Sequence, residues 1–240
     1  MSQIESQPTL REVNIESRRQ RILEAARSLI AGGGMQSLSM RKLAAESGLA
    51  VATLYNLYGS RDEILFALIQ DGVDRIVPIL DAEAPIEDPF ARCRAVITVS
   101  VRFFAENEAI YRPMLVASYE GLSGLSAGAD ADRRLAKQAA SMQREGIEQA
   151  IAQGLLTGSL DPERLGEQIY HGYELAAVQW GFGLLDAAGF RARALYGMVL
   201  VLLAVASDAV RPELEAEAQG LERELAAVAV RSSPRGKQFA

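Results

Sequence analysis

The side chains best placed for chemistry lie between Ser39 and Tyr58. Ser39 can cap a short helix that closes at Gly48, and a second short helix runs from about Val51 to Tyr58. Two helices joined by a tight glycine turn make a helix-turn-helix, which holds a fixed inter-helix angle. By spacing, Leu43, Ala44, Leu49, Leu54 and Tyr58 form its interior. That leaves Val51, Ala52, Thr53, Tyr55, Asn56 and Leu57 facing outward. The chemistry such a surface does is non-covalent. Side chains near the start of the second helix meet base edges in a DNA major groove, and helix N-termini suit phosphates. Helix–glycine–helix units also occur as plain structural hairpins, and spacing alone leaves both readings open.

Reactive chemistry has little support. The single cysteine, Cys93, excludes an intramolecular disulfide framework and a multi-cysteine zinc site. The single histidine, His171, excludes a multi-histidine metal or haem cluster. There is no Glu-x-x-His pair, no Gly-rich phosphate loop and no nucleophile–base signature. The expectation is a protein that is not an enzyme and needs neither cofactor nor metal. The start of the chain is polar and charged, unlike a secretory signal. The longest apolar run, Ala194 to Ala206, spans 13 residues, whereas a membrane span needs about 20. A cytoplasmic protein with no membrane partner is expected.

The 240 residues carry a net charge of −6, which taken whole opposes binding to phosphate backbones. The charge is uneven, however. Residues 17–61 hold seven basic side chains (Arg18, Arg19, Arg21, Arg27, Arg41, Lys42, Arg61) against two acidic ones (Glu24, Glu46). Residues 70–240 hold 17 basic and 24 acidic side chains. A small basic head thus precedes a larger acidic body.

The elements that position the head are helical, and so is nearly everything else. Sustained alternation, Asn-Gly turns and β-branched runs are missing, so the fold class is all-α. Residues 1–16 lack periodicity and are expected to be a disordered arm. A first helix begins at Ser17 with Gln20 as its capping partner, carries Ile22, Ala26, Leu29 and Ile30 on one face, and stops at Gly32-Gly33-Gly34. Ser60 and Glu63 open a longer helix to about Leu80, with Pro78 inside it. Further helices begin at Asp88-Pro89 and Asp161-Pro162. Others cover Ala109 to Tyr119, Ala131 to Leu155 and about Arg191 to Ala209. Gly121 to Asp130 reads as a loop. An acidic amphipathic helix precedes a disordered tail at 231–240.

The stretch from Arg21 to Leu68 resembles the N-terminal domain of the TetR (tetracycline repressor) family of transcriptional regulators. The resemblance is carried by Arg21-Ile22-Leu23-Glu24-Ala25-Ala26, Met40-Arg41-Lys42-Leu43-Ala44, Ser47-Gly48-Leu49, Thr53-Leu54-Tyr55 and Ser60-Arg61-Asp62-Glu63-Ile64-Leu65, in matching order and spacing. It implies a three-helix DNA-binding domain over 17–61 and a C-terminal helical bundle over 62–230 for dimerisation and ligand binding. It also implies a homodimer on a double-stranded, pseudo-palindromic operator, released as a repressor by a small-molecule effector. Carried over by position, with the capping Ser39, Arg41 sits at the groove edge, Thr53 and Tyr55 contact phosphates, and Arg61 anchors a phosphate. Asn56 can pair bidentately with adenine. The chain departs from the family at Ala50, Val51, Leu57 and Gly59, where polar or capping residues are common. The arm residues Arg11, Arg18 and Arg19 are a source of compensation. A helical small-molecule-binding adaptor with weak or no DNA binding is the alternative.

In the body, Ala194 to Ala206 is apolar on every face, which demands burial on all sides. Ala177, Trp180, Leu184, Met198, Val201, Leu202 and Val205 are therefore expected at a dimer interface. Phe103, Phe104, Tyr111, Met114, Met142, Tyr170, His171 and Glu174 are the candidates for an effector pocket, since polar groups among aromatics mark such sites. An aromatic pocket with little charge suits a largely apolar effector.

Overall fold

The computed structural model describes residues 9–84, 86–119 and 129–232. Among them are helices α1 (Leu10–Gly33), α2 (Met40–Ser47), α3 (Val51–Tyr58), α4 (Arg61–Glu83) and α5 (Pro89–Glu106). They continue with α6 (Glu108–Tyr119), α7 (Ala129–Ala152), α8 (Pro162–Gly181), α9 (Ala187–Leu203) and α10 (Arg211–Ser232). The described residues form no strand, so the fold is all-α. No helix among them is long and apolar enough to cross a membrane. The chain forms two compact units, Met1–Asp71 and Gly72–Ala240, and the division falls within α4. Positions 1–8, 85, 120–128 and 233–240, which include half of the expected arm and most of the expected loop and tail, lie outside the described residues.

The first helix starts earlier than Ser17. Thr9 is its N-cap: the Glu12 N–H donates to the Thr9 hydroxyl at 3.3 Å, and the Thr9 N–H donates to the Glu12 carboxylate at 2.7 Å. A helix already nucleated further along propagates until a cap stops it, so the Thr9–Glu12 box prevails over the Ser17–Gln20 pair. The Thr9 N–H and the Thr9 hydroxyl both donate to the Glu12 carboxylate and hold its pKa below the ordinary value. Residues 10–16, expected in the arm, are therefore helical.

The first unit is built on Ile22, Leu23, Ala26, Ile30, Leu38, Leu43, Leu54, Ile64, Leu65 and Leu68, all buried. Arg27 of α1 pairs with Asp71 of α4, and Ser28 donates to the Glu46 carboxylate of α2 at 3.0 Å. Ser60 caps α4 through the Glu63 N–H at 3.1 Å, as its spacing suggests.

In the second unit α9 sets the arrangement. Phe190, Ala194, Leu195, Met198, Val199 and Leu202 are all buried on it. Its own chain supplies the cover, through α5, α8 and α10. The last helix lays Leu214, Ala218, Leu221 and Val228 into the core. It is fastened by Arg94 of α5, which forks onto Glu217 at 2.9 and 2.6 Å, and by Arg191 on Glu224 at 2.5 Å. The loops before α8 and α10 are tied by an antiparallel bridge between Leu156 and Ala206.

The break between α8 and α9 covers residues 182–186, so α9 starts before the expected Arg191 and Gly189 lies in its first turn. Gly183 takes φ +74°, and the Gly183 and Leu184 N–H groups donate back to Trp180 and Gln179 at 2.9 Å. Left-handed φ at a glycine ends a helix cheaply. Asp186 then caps α9 by accepting from the Gly189 N–H at 2.7 Å.

Close packing of α7 on α8 depends on Gly166, where a Cβ would stand 2.6 Å from the Ala140 carbonyl oxygen. That neighbour is backbone and cannot swing away. Gly166→Ala is expected to cost about 1–3 kcal/mol by overpacking, despite its better helix propensity. A thermal melt of the variant checks this, and an unchanged or raised midpoint contradicts the tight contact.

Candidate functional site

The recognition unit is assembled from α2, a turn and α3. Ser39, exposed, caps α2 by accepting from the Lys42 N–H at 3.3 Å. Leu43 and Ala44 point inward, and the buried Ser47 hydroxyl donates to the Leu43 carbonyl at 2.6 Å. Gly48 follows at φ 64°, ψ 34°, the left-handed region, and the Leu49 N–H donates to the Ala44 carbonyl at 3.0 Å. Glycine is the residue that takes this geometry without penalty. Arg21 of α1 closes the turn, its guanidinium donating to the Ser47 carbonyl at 2.5 Å and the Gly48 carbonyl at 3.3 Å. The sequence counts Arg21 among the basic groups but does not show that it is spent on this turn. α3 then starts at Val51 behind Ala50, with no side-chain cap. Leu54, fully buried, is its anchor.

The outward face carries most of the expected contacts. Tyr55 is 51% exposed and Asn56 is exposed; Thr53 and Leu57 are half-buried, and Val51 is 38% exposed. Arg41 and Lys42 stand exposed on α2. Among the described residues, neither of these two, nor Tyr55 or Asn56, makes a side-chain hydrogen bond or ion pair. Arg61 differs: it lies 3.5 Å from Asp62, so part of its charge is answered locally. Tyr58 is turned back toward α1, where its hydroxyl donates to the Arg19 carbonyl at 3.4 Å and the Arg19 guanidinium lies 5.9 Å over its ring. Burial pushes the Tyr58 phenol up to about 12. The arm residue Arg19 is thereby engaged inside its own unit.

The second unit holds an aromatic interior. Phe104 stacks on Tyr111 with centroids 4.5 Å apart, Phe103 lies 5.6 Å from Tyr111, and Tyr173 lies 6.5 Å from Phe104 and 5.3 Å from Phe190. Met114 is buried, and Met142, like Phe103 and Phe104, packs against the cluster of Ile76, Leu80, Ala84, Ala95, Val96 and Val99. Of the expected pocket residues, Phe103, Phe104 and Tyr111 are thus brought into mutual contact. Tyr173 belongs with them and is not among the sequence candidates. Its hydroxyl is buried beside Ser100 without a well-formed hydrogen bond, and burial drives its pKa upward. His171 and Glu174 lie elsewhere, both exposed, with Tyr170 half-buried 6.1 Å from the His171 ring. Turning Tyr173 inward places His171 about 200° around the helix, which explains the separation.

The expected dimer residues are corrected by burial. Ala177, Trp180, Met198, Leu202 and Val205 are each 2% exposed or less within the single chain, so they are core and not available to a partner. The sequence could not assign α10 as the cover for α9. Of that set Leu184 is 64% exposed and Val201 half-buried. Leu175 of α8 and Leu200 of α9 are also exposed, at 59% and 45%. Among the described residues, no group of three or more His, Cys, Asp or Glu is placed to hold a metal ion.

Residues 22–68 match the family model described as bacterial regulatory proteins, tetR family. Among solved structures, the chain is similar to a TetR transcription regulator from Haloarcula marismortui, at 19% identity over 80% of this chain and 100% of that one, with a TM-score of 0.60. It is similar to SmeT, the repressor of the Stenotrophomonas maltophilia multidrug efflux pump SmeDEF, at 16% identity over 80% and 92%, with a TM-score of 0.58. It is also similar to Thermus thermophilus FadR, a TetR family transcriptional repressor in complex with lauroyl-CoA, at 20% identity over 79% and 95%, with a TM-score of 0.60. At these identities the likeness establishes the fold. No curated protein matches the sequence.

The role of Arg21 in the turn is directly testable. Arg21→Gln removes both guanidinium bonds, and for so exposed a group the loss is about 1 kcal/mol. The Leu49 amide should then exchange with solvent roughly fivefold faster in native-state hydrogen exchange. An unchanged exchange rate at Leu49 means the turn holds without the arginine.

Proposed function

We propose that this chain, whose residues 22–68 match the model of bacterial regulatory proteins of the tetR family, is a cytoplasmic homodimeric transcriptional repressor of that family. It binds a pseudo-palindromic operator and releases it on binding a small, largely apolar effector. The carrying observation is the outward face of α2 and α3. There Arg41, Lys42, Tyr55 and Asn56 stand exposed with no side-chain partner among the described residues, on two helices fixed by Leu54, Gly48 and Arg21. Polar groups left unanswered on a rigid short helix fit a ligand that supplies acceptors in fixed register, which is what a duplex groove offers. In this reading Arg41 and Tyr55 hold phosphates, Thr53 and Ser39 lie along the same backbone track, and Asn56 reads a base edge. Val51 and Leu57 meet thymine methyls. Arg61 adds a weaker phosphate contact, since Asp62 competes for it. The uncapped start of α3 at Ala50 leaves first-turn N–H groups open to a phosphate.

Effector binding is assigned to the aromatic interior of the second unit. Phe103, Phe104, Tyr111 and Tyr173 supply flat apolar surface, and the Tyr173 hydroxyl supplies a buried donor still without a good partner. That combination favours an apolar ligand with one polar group. The solved FadR structure is in complex with lauroyl-CoA, a ligand with an apolar acyl chain. No catalytic role is assigned to any residue.

For dimerisation, the apolar residues that remain exposed are the relevant ones. Leu175 on α8 and Leu200 on α9 are joined by Leu184, while Gly172 and Gly197 leave open space where a Cβ would stand. Apolar knobs beside open glycines suit close helix packing by a second copy.

Two outcomes test this. Arg41→Ala and Tyr55→Ala should each weaken binding to a duplex selected from a random pool by about 1–3 kcal/mol, roughly tenfold or more, with the dimer intact. Unchanged gel shifts at moderate salt sink the site assignment, and failure of the wild-type protein to select any duplex favours the adaptor alternative. Separately, Leu175→Glu with Leu200→Glu should yield a monomer by light scattering while the melting temperature of the protomer changes little. A persistent dimer places the interface elsewhere.

A further inference from the structure

We infer that the projecting first turns of α1 form a second DNA-binding element, a ridge that engages backbone phosphates through Arg11 and Arg18. This rests on the DNA-binding reading above. From Leu10 to Arg21 the helix buries no residue, its first buried side chain being Ile22. Such a segment adds no core and is marginal as an isolated helix, yet it is closed by a complete capping box at Thr9. Its charges are sorted by face. At 3.6 residues per turn, Arg11, Asn14, Arg18 and Arg21 fall within an arc of about 80°. Glu12, Glu16, Arg19 and Gln20 fall on a separate arc.

The acidic arc is internally answered. Glu12 is taken up by Thr9, Gln20 donates to Glu16 at 3.0 Å, and Arg19 lies over Tyr58. The basic arc is open. Arg11 and Arg18 are exposed and make no hydrogen bond or ion pair among the described residues. The register of this arc is set by Arg21, whose guanidinium is bonded to the turn carbonyls of Ser47 and Gly48. The ridge is therefore a continuation of the side of α1 that holds the helix-turn-helix turn. Two mobile cations about 10 Å apart along a helix, with no base-reading partner beside them but Asn14, suit phosphates rather than bases. Phosphate contacts position a protein and carry no sequence information.

The experiment measures binding of the full-length protein, as a function of salt, to two probes: the duplex that the wild-type protein selects from a random pool, and a random-sequence duplex. Each lost phosphate contact lowers the slope of log affinity against log salt by about 1. Arg11→Gln with Arg18→Gln should thus flatten the slope by about 2 for each protomer engaged, equally on both probes. Glutamine is a good helix former, and circular dichroism should show no loss of helix. The selected sequence should stay the same. Arg11→Lys with Arg18→Lys should restore the slope, because a phosphate accepts lysine as a point charge. The charge-matched control Arg164→Gln with Arg223→Gln should leave it unchanged. A wild-type slope in the glutamine variant overturns the ridge while leaving the helix-turn-helix reading standing. A shifted selected sequence overturns the phosphate assignment, and an equal loss in the control reduces the effect to net charge. Failure of the wild-type protein to bind either probe overturns the ridge together with the reading beneath it.

Discussion

Two helices of eight residues each carry the recognition surface, and neither is long enough to stand alone in water. Isolated helices below about 12–15 residues are marginal even with good propensity, and α3 has β-branched Val51 and Thr53 and no side-chain cap. Their existence therefore depends on packing, through Leu43 and Leu54, both fully buried. Their mutual angle depends on the turn, through left-handed Gly48 and the Arg21 guanidinium on the turn carbonyls. Everything presented outward inherits its position from those few contacts. The surface is consequently stiff in the sense that matters for groove recognition: moving one outward residue requires undoing the anchor shared by the rest.

In the second unit a different constraint governs. α9 presents apolar side chains nearly all round, and in water each such face needs a cover. The chain meets most of that demand itself. α10 contributes an apolar stripe and is fastened by Arg94–Glu217, Arg191–Glu224 and Tyr196–Glu222 contacts. Leu175, Leu184 and Leu200 stay exposed, as do Ile86, Tyr119, Leu160 and Phe182 among the described residues of this unit. The apolar excess of α9 is thus largely absorbed within the chain. Cys93 illustrates how closed the interior is: burial pushes its thiol up to about 12, so it is a small apolar filler and not a nucleophile.

The head was readable because its signals are local. Ser39, Gly48, Ser60 and the period of the apolar residues each act within a few positions, and α3 runs from Val51 to Tyr58 as the spacing suggests. The start of α1 was misplaced because two capping boxes compete, and the sequence alone does not rank Thr9–Glu12 against Ser17–Gln20. The body was less legible because its decisive contacts are long-range. That α10 covers α9 is a tertiary fact, and it converts Trp180, Met198 and Leu202 from expected interface to core. Tyr173 and His171 are neighbours in sequence but stand about 200° apart around α8, so proximity along the chain does not show which of them faces the aromatic interior. The aromatic partners Phe103, Phe104 and Tyr111 were recognisable by type, and the fold does bring them together.

The charge arithmetic changes once the structure assigns each cation. Of the seven basic side chains in residues 17–61, four are engaged within the first unit: Arg19 on Tyr58, Arg21 on the turn, Arg27 with Asp71 and Arg61 with Asp62. Arg18, Arg41 and Lys42 remain open. A count of net charge therefore overstates what the head can offer to phosphates, and the shortfall is sharpened by apolar Val51 and Leu57 on the outward face of α3. The capped extension of α1 works in the opposite direction. It adds an exposed arginine, Arg11, in register with Arg18, while its own carboxylates are satisfied by neighbours on the other arc. A helix that buries nothing for three turns contributes little to folding, so its sorted charges point outward to a ligand. The charge this head can offer is set by which arginines the fold leaves unengaged, and the first turns of α1 add Arg11 to them among the described residues.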